Sequence, residues 1–363
     1  MFYYFLYPLK DLWFGFNIFK YITFRASMAA ITSFVICVIL GPPIIEALRR
    51  FRINQHVRKE YVESLSGFHD SKEGTPTMGG LLILVSLLVS SILWCRLDND
   101  FVILVLGGAV WLGLVGLIDD CIKLKTRSAK GLAGFTKKIA GQAVLALIVG
   151  LFVVNNNAVG TDLYVPFLKN AVMNLGIFYI LFVLFVIVGA SNAVNITDGL
   201  DGLAIGCMIF VSLTYAVMAY VTGNALTSTY LHVFYLPGSG ELACISAAMV
   251  GAGLGFLWFN CHPADVFMGD TGALALGGTI AIISVLIKKE ILLLLAGGVF
   301  VFESLSVIIQ VISFKTRGKR VFRMSPIHHH FQLKGWPESR ITVRFWIISA
   351  ILAMVSIAAL KVR

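Results

Sequence analysis

The feature that most constrains this chain is a series of ten long apolar segments separated by polar connections. A helix needs about 20 apolar residues to cross a bilayer, and only helices and closed barrels satisfy the backbone polar groups there. The pattern therefore predicts an all-α integral membrane protein with about ten transmembrane helices. The segments lie at residues 24–48, 78–95, 101–119, 139–156, 174–191, 203–221, 242–260, 271–287, 291–313 and 343–361.

The composition supports one membrane domain. Of the 363 residues, 58% are hydrophobic and 13% are charged, whereas about 25% are charged in soluble proteins. A soluble fold this apolar would have too few polar groups for its surface. We therefore expect residues 1–363 to form a single polytopic domain in the lipid bilayer. We relate the formal net charge of +10 to the orientation of the chain in the membrane. We therefore expect no nucleic-acid partner.

The distribution of positive charge predicts the orientation. Twenty of the 29 Lys and Arg residues lie in three connections, after the first, third and ninth apolar segments. Cytoplasmic loops of membrane proteins carry an excess of Lys and Arg. These connections, and those after the fifth and seventh segments, are therefore predicted to be cytoplasmic. An even number of spans then places both termini on the external side.

Unusual polar side chains cluster on the predicted cytoplasmic side, and no comparable cluster lies on the other side. Carboxylates at a membrane boundary are costly and tend to be functional. This asymmetry predicts an active site at the cytoplasmic face. The side chains are Lys72, Thr77, Asp119, Asp120, Asn195, Asp198, Asp201, Asn260, Asp270, His328, His329 and His330.

Two of the motifs favour a magnesium site. Asp119 and Asp120 end the third apolar segment, and Asp270 begins the eighth. Adjacent carboxylates ionise cheaply only near cations, and Mg²⁺ is held by one or two carboxylates together with phosphate oxygens. Lys123 follows closely and suits an anionic substrate. The alternatives are a solvated helix end for Asp119 and Asp120, and a helix cap for Asp270.

Three further motifs place polar or glycine residues on the same side, and two of them suggest binding of an anion or a phosphate. In NITDGLDG, the residues Asn195, Asp198 and Asp201 would share one face of a helix, although an Asx-rich turn is the alternative. The glycine-rich GTPTMGG could present backbone N–H groups to an anion. The consecutive histidines 328–330 fit substrate binding or proton transfer, against a plain polar tract. Their adjacency argues against a three-histidine zinc site.

Together these parts fit a membrane-embedded phosphoryl transferase with one lipid substrate and one soluble substrate. A second hypothesis is an ion-coupled transporter or lipid flippase. That class predicts carboxylates near the bilayer midplane and, often, inverted repeats, whereas the carboxylates here cluster at one face. A structural scaffold would explain the helices but not the converging polar connections.

The motifs GTPTMGG, LIDD, NITDGLDG, PADVFMGDTGALALGG and SPIHHHFQLKGWPESR resemble those of the phospho-N-acetylmuramoyl-pentapeptide transferase family. The last motif favours this family over sister transferases for other N-acetylhexosamine phosphates. The resemblance implies ten transmembrane helices, a bacterial inner membrane location, a Mg²⁺ requirement and a possible homodimer. The implied reaction moves phospho-N-acetylmuramoyl-pentapeptide from uridine diphosphate (UDP) to undecaprenyl phosphate, which gives lipid I and UMP.

The resemblance also implies residue roles. Asp119 is the candidate base or nucleophile with Asp120 beside it, and Asp270 is the principal Mg²⁺ ligand. The family lysine after LIDD is either Lys137 or Lys138. Whether the reaction takes one step or passes through a phospho-enzyme stays open, as do the lipid length and the third residue of the pentapeptide. The further implied catalytic and substrate-binding residues are Lys72, Thr77, Asn195, Asp198, Asp201, Asn260, Phe267 against the uracil ring, Gly269, His328, His329 and His330.

Overall fold

The computed structural model describes residues 1–50, 74–126, 135–165 and 172–361. In these residues the chain is a helix bundle with one short antiparallel strand pair, β1 (Asp162–Leu163) and β2 (Met173–Asn174). The helices are α1 (Phe2–Leu6), α2 (Ile22–Arg50), α3 (Gly80–Trp94), α4 (Asp100–Thr126), α5 (Phe135–Asn155), α6 (Tyr179–Thr197), α7 (Leu203–Gly223), α8 (Ala225–Leu231), α9 (Leu242–Asn260), α10 (Gly269–Leu286), α11 (Glu290–Ala296), α12 (Gly298–Arg317), α13 (Ile327–Gln332) and α14 (Glu338–Ala358).

The membrane class predicted from the apolar segments is confirmed. Among the described residues, 9 helices are long and apolar enough to cross a membrane. The second predicted segment forms α3, which is shorter at 15 residues. The ninth predicted segment is divided at Gly297 into α11 and α12. The external position of both termini stays a prediction.

Helix α10 lies at the centre of the bundle, and 94% of its residues are buried. It packs mainly against α4, α6 and α3. A Cβ atom added to Gly116 of α4 would lie 2.4 Å from the carbonyl oxygen of Asp270. Small residues allow helix backbones to approach this closely in membrane proteins. The approach holds the end of α4, with Asp119 and Asp120, against the first turn of α10.

The outer helices complete the bundle. Helix α9 packs on α2 and α7, helix α14 packs on α7, and α5 packs on α6. At the end of the bundle opposite Asp270, the buried Arg25 of α2 donates two hydrogen bonds of 2.6 Å to the carboxylate oxygens of Glu241. At the same end, Lys288 and Glu290 lie buried beside Tyr179.

Candidate active site

The end of α4 and the start of α10 form a group of buried carboxylates. Asp119, Asp120 and Asp270 are 3%, 5% and 7% exposed, respectively. The ammonium nitrogen of Lys123, one turn after Asp119, lies 2.7 Å from Asp119 Oδ2 and 2.8 Å from Asp270 Oδ2. Two carboxylates therefore converge on one cationic group. We call the carboxylates of Asp119, Asp120, Asp198 and Asp270, together with Lys123 and Lys138, the acidic centre.

The neighbouring carboxylates Asp119 and Asp120 have different surroundings. The carboxylate of Asp120 accepts hydrogen bonds from the backbone N–H groups of Asp270 and Thr271, at 3.2 and 3.0 Å. It also accepts one from the Thr271 hydroxyl, at 2.7 Å. These N–H groups begin α10 and have no partner within that helix. Asp120 therefore caps α10 from a neighbouring helix, whereas Asp119 faces Lys123.

Of the two candidate lysines at the start of α5, Lys137 and Lys138, only Lys138 reaches the acidic centre. Lys138 Nζ lies 2.5 Å from Asp270 Oδ2 and 3.3 Å from Asn195 Oδ1. The Asn195 amide in turn donates to Asp270 Oδ1, at 2.8 Å. Lys137, the other candidate, is exposed. Because adjacent residues on a helix point about 100° apart, only Lys138 is directed into the centre.

Asp198 adds a fourth carboxylate, from the connection between α6 and α7. It accepts a hydrogen bond from the backbone N–H of Gly269. Burial, and then the nearby carboxylates of Asp270 and Asp120, raise the pKa of Asp198 to about 7. The ionised form is therefore disfavoured first because the side chain is removed from water, and second because the neighbouring carboxylates repel its charge.

Gly269 fits between these carboxylates because it has no side chain. Its φ is +73°, a conformation that residues with a side chain rarely adopt. A Cβ atom there would lie 2.8 Å from Asp120 Oδ2 and 3.2 Å from the Thr77 hydroxyl. Half-buried Thr77 is thus placed beside the acidic centre. Lys72 lies outside the described residues.

Two predicted nucleotide-site residues hold connections together in the structure. The buried Asn260 donates to the Val266 carbonyl at 2.8 Å and accepts from the Gly202 N–H at 3.1 Å. It therefore fastens the α6–α7 connection to the α9–α10 connection. The backbone of Phe267 pairs with the segment before α3, through Pro76 and Gly79. The Phe267 side chain is half-buried.

The three consecutive histidines have three different environments. His328 is fully buried, and its Nδ1 lies 3.0 Å from Glu303 Oε2 of α12. Its Nε2 faces Gly199, where a Cβ atom would lie 2.4 Å away, and it has no hydrogen-bond partner among the described residues. His329 Nδ1 contacts the side chain of Gln332 at 2.7 Å. The structure therefore places the His328 ring against Gly199 of the α6–α7 connection.

His330 turns away from that connection. Its Nδ1 accepts a hydrogen bond from the backbone N–H of Arg323, at 3.1 Å. Burial, and then the charges of Lys334 and Arg323, lower the pKa of His330. A neutral ring is the form that can accept this hydrogen bond. His330 therefore fastens the connection before α13, which is a different environment from that of His328.

Sequence reasoning missed three residues that contact the predicted site residues. Glu303 was not among the predicted site residues, although a carboxylate within an apolar helix is a signal for function. His262 received no role, yet its Nδ1 lies 3.0 Å from Asp201 Oδ2. Glu338 accepts a hydrogen bond from the Asp201 N–H at 2.7 Å. Nothing in the local sequence indicates these last two contacts, because they join distant segments.

Comparison with known proteins identifies the class first. Residues 102–288 match the model of glycosyl transferase family 4, so the chain is a membrane-embedded transferase. Residues 72–84 match signature 1 of phospho-N-acetylmuramoyl-pentapeptide-transferase.

Full-length relatives identify one family within this class of membrane-embedded transferases. Proteins named phospho-N-acetylmuramoyl-pentapeptide-transferase are 50% identical to this chain in Desulfotalea psychrophila and 52% identical in Geobacter sp. strain M21. In both cases the match covers 100% of this chain and 100% of the relative. The relative from Endomicrobium trichonymphae is 50% identical over 366 aligned residues. The chain belongs to the phospho-N-acetylmuramoyl-pentapeptide-transferase family.

Proposed function

We propose that this protein transfers phospho-N-acetylmuramoyl-pentapeptide from its UDP carrier to undecaprenyl phosphate, and forms lipid I and UMP. This would be the first membrane step of peptidoglycan synthesis, at the cytoplasmic face of a bacterial inner membrane. The single observation that carries the proposal is the acidic centre at one end of a membrane-spanning bundle. We further propose that residues 1–363 act as one transferase domain and that the protein functions as a homodimer.

The donor set of the acidic centre fits Mg²⁺. Carboxylate oxygens are hard ligands of the kind this ion prefers, and those of Asp119 and Asp270 already converge on the ammonium of Lys123. Asp120 is directed to the N–H groups of α10, so Asp119 and Asp270 are the better candidates for direct ligands. When bound, Mg²⁺ would neutralise charge on the pyrophosphate of the donor.

An apolar cavity supports a lipid acceptor. A cavity of about 330 Å³ lies between α6, α11 and α12. Its wall includes Ala193 and Val194, and the next residue, Asn195, contacts Asp270 of the acidic centre. The wall also includes Ser304, which follows Glu303. The lining is almost entirely apolar, which suits a polyprenyl chain. An acceptor chain in this cavity would approach both Asn195 and the His328–Glu303 pair.

In the proposed reaction, an oxygen of undecaprenyl phosphate bonds to the phosphorus that carries the sugar, and the bond from this phosphorus to UMP breaks. The acceptor phosphate loses a proton when it is not already fully ionised. In a one-step reaction, Asp119 takes that proton. In a two-step reaction, the Asp119 carboxylate first attacks this phosphorus, which forms an acyl phosphate and releases UMP. An oxygen of the acceptor phosphate then attacks the same phosphorus, and its bond to Asp119 breaks. In both, Lys123 and Lys138 balance the charge of the phosphates.

The test is lipid I formation by the purified protein, with UDP-N-acetylmuramoyl-pentapeptide and undecaprenyl phosphate, in the presence and absence of Mg²⁺. We expect Mg²⁺-dependent product with release of one UMP for each lipid I. UDP-N-acetylglucosamine is added as a competing donor in a parallel reaction. Preferential use of that donor would assign the protein to a sister activity, and no product from folded protein would contradict the proposal.

A further inference from the structure

A second group of potential metal ligands lies outside the acidic centre. Asp201, His262 and Glu338 each offer one ligand atom, and these atoms all lie within 4.8 Å of one another. The three residues come from the α6–α7 connection, the α9–α10 connection and the first turn of α14. None of the three is a residue of the acidic centre, and the packing of three separate elements brings them together.

The distances suit a small ion with tetrahedral coordination. His262 Nδ1 lies 3.0 Å from Asp201 Oδ2. Two ligand atoms that each lie about 2.0–2.1 Å from a tetrahedral Zn²⁺ ion are about 3.3 Å apart, so a small movement would accommodate the metal. The Asp201 N–H donates to Glu338 Oε1 at 2.7 Å. Such hydrogen bonds to ligand carboxylates orient them for coordination.

Charge and exposure also favour a cation. Asp201 is 3% exposed, and with Glu338 it places two carboxylates beside one imidazole. The His262 side chain is 43% exposed, which leaves an entry path from solvent. His nitrogen and Asp or Glu oxygen are both zinc ligands, and catalytic zinc sites have three protein ligands with a fourth position open to water.

We propose that Asp201, His262 and Glu338 bind one transition-metal ion of the Zn²⁺ or Co²⁺ type. Imidazole suits these metals, whereas Mg²⁺ is held by oxygen ligands. The site is therefore chemically distinct from the acidic centre. A bound ion connects the α6–α7 connection, the α9–α10 connection and α14. The inference concerns metal binding alone and does not depend on the proposed transferase reaction.

The test is Zn²⁺ binding to the purified full-length protein, with an affinity tag that contains no histidine. The apparent affinity is measured by competition with a chromophoric chelator, in the presence of millimolar Mg²⁺. We expect His262→Gln to remove one Zn²⁺ equivalent or to weaken its binding by about tenfold or more. Comparison with the unmodified protein cancels any binding by the histidines 328–330.

Two further variants separate this site from its neighbours. Cys261 is exposed and adjacent to His262, so Cys261→Ser serves as the matched control and should bind Zn²⁺ normally. Glu338→Gln keeps an acceptor for the Asp201 N–H but removes a charge, and it should weaken binding. Binding should also raise the midpoint of thermal unfolding in the unmodified protein and not in His262→Gln.

Three results would overturn the inference. Equal Zn²⁺ binding by His262→Gln and the unmodified protein would show that the imidazole is not a ligand. Loss of binding in Cys261→Ser with retention in His262→Gln would assign the metal to the thiol. Displacement of Zn²⁺ by millimolar Mg²⁺ would indicate a site of oxygen ligands only.

Discussion

Two groups of buried charges, one at each end of the helix bundle, are arranged in opposite ways. At one end, Arg25 and Glu241 form a one-to-one pair with two hydrogen bonds of 2.6 Å. At the other end, the acidic centre places four carboxylates around two lysines. Buried charges are tolerated when they are paired. The first arrangement balances one positive charge with one negative charge, whereas the second holds surplus negative charge that a further cation would stabilise.

This difference indicates which buried charges maintain the fold and which carry chemistry. The Arg25–Glu241 pair connects α2 to the segment before α9, and Arg25 Nη1, which donates to Glu241 Oε2, also donates to the Trp94 carbonyl at 3.1 Å. Its contacts are all within the protein. In the acidic centre, burial and then the charges of Asp270 and Asp120 raise the pKa of Asp198 to about 7. Perturbed ionisation of this kind is typical of functional sites.

The largest expected effect comes from Asp270→Asn. This change removes the carboxylate on which Lys123, Lys138 and Asn195 converge. We expect lipid I formation to fall by about a thousandfold or more, which is about 4 kcal/mol of transition-state stabilisation. Steady-state assays give the rate, and thermal unfolding in detergent serves as the control for folding. Turnover within tenfold of the unmodified protein would end the assignment of Asp270 to the reaction.

At the end of the bundle that holds Arg25 and Glu241, we expect a substitution to lower stability and to leave activity unchanged. Arg25→Met leaves the buried Glu241 carboxylate unpaired, which should lower the free energy of unfolding by about 3–5 kcal/mol. Activity for each folded molecule should stay close to that of the unmodified protein. The double variant Arg25→Met, Glu241→Met should recover much of the loss, because it removes both charges. A specific loss of activity without a loss of stability would break the comparison.

The two adjacent lysines of α5 sharpen the comparison within the acidic centre. Lys138→Met should reduce turnover by about 10- to 100-fold, or about 1.4–2.7 kcal/mol, because its ammonium contacts Asp270. Lys137→Met is the matched control, since Lys137 is exposed, and it should change turnover by less than about threefold. Equal losses in both variants would show that positive charge in this region matters and the individual contact does not.

The smallest effect is expected at the exposed pair of Arg96 and Asp98, in the connection between α3 and α4. Arg96 and then Tyr4 lower the pKa of Asp98 to about 2, and the Arg96–Asp98 distance is 2.7 Å. An acid with a depressed pKa stabilises the fold above its unfolded value of about 3.9, and this contribution is lost as the pH falls towards 2. Asp98→Asn should cost less than about 1 kcal/mol near neutral pH because the pair is exposed.

Thermal unfolding of Asp98→Asn at several pH values measures this contribution. The difference from the unmodified protein should shrink as the pH falls from about 4 towards 2, because Asp98 is protonated first in the unfolded chain and then in the folded protein. A difference that grows at low pH would contradict the assignment. A loss as large as that of Arg25→Met would show that exposure does not distinguish the two pairs.

The orientation predicted from positive charge can be tested separately. A cysteine placed at position 156 should be labelled from outside intact cells, and one at position 335 should not. Exposed native cysteines, Cys121 and Cys261, are replaced by serine in both variants to remove background labelling. The reverse pattern would place the acidic centre on the external side and would contradict the proposed use of a cytoplasmic nucleotide substrate.

The sequence by itself determined the membrane class, the approximate positions of the helices and the candidate residues of the acidic centre. It could do so because the requirement to satisfy backbone hydrogen bonds in lipid acts locally, on each apolar segment. The family resemblance likewise rested on contiguous motifs, and the comparison with full-length relatives confirmed it. The division of the ninth segment at Gly297 was not predicted, because its two parts are both apolar.

Only the tertiary structure decided which side chain faces which. Asp119 and Asp120 are adjacent in sequence, yet one contacts Lys123 and the other caps α10. Lys137 and Lys138 are also adjacent, yet only Lys138 contacts Asp270. Asp201, His262 and Glu338 are distant in sequence, yet packing brings them together. The physical reason is that the rotation and close approach of packed helices set these contacts, and they depend on small residues such as Gly116 in a different segment.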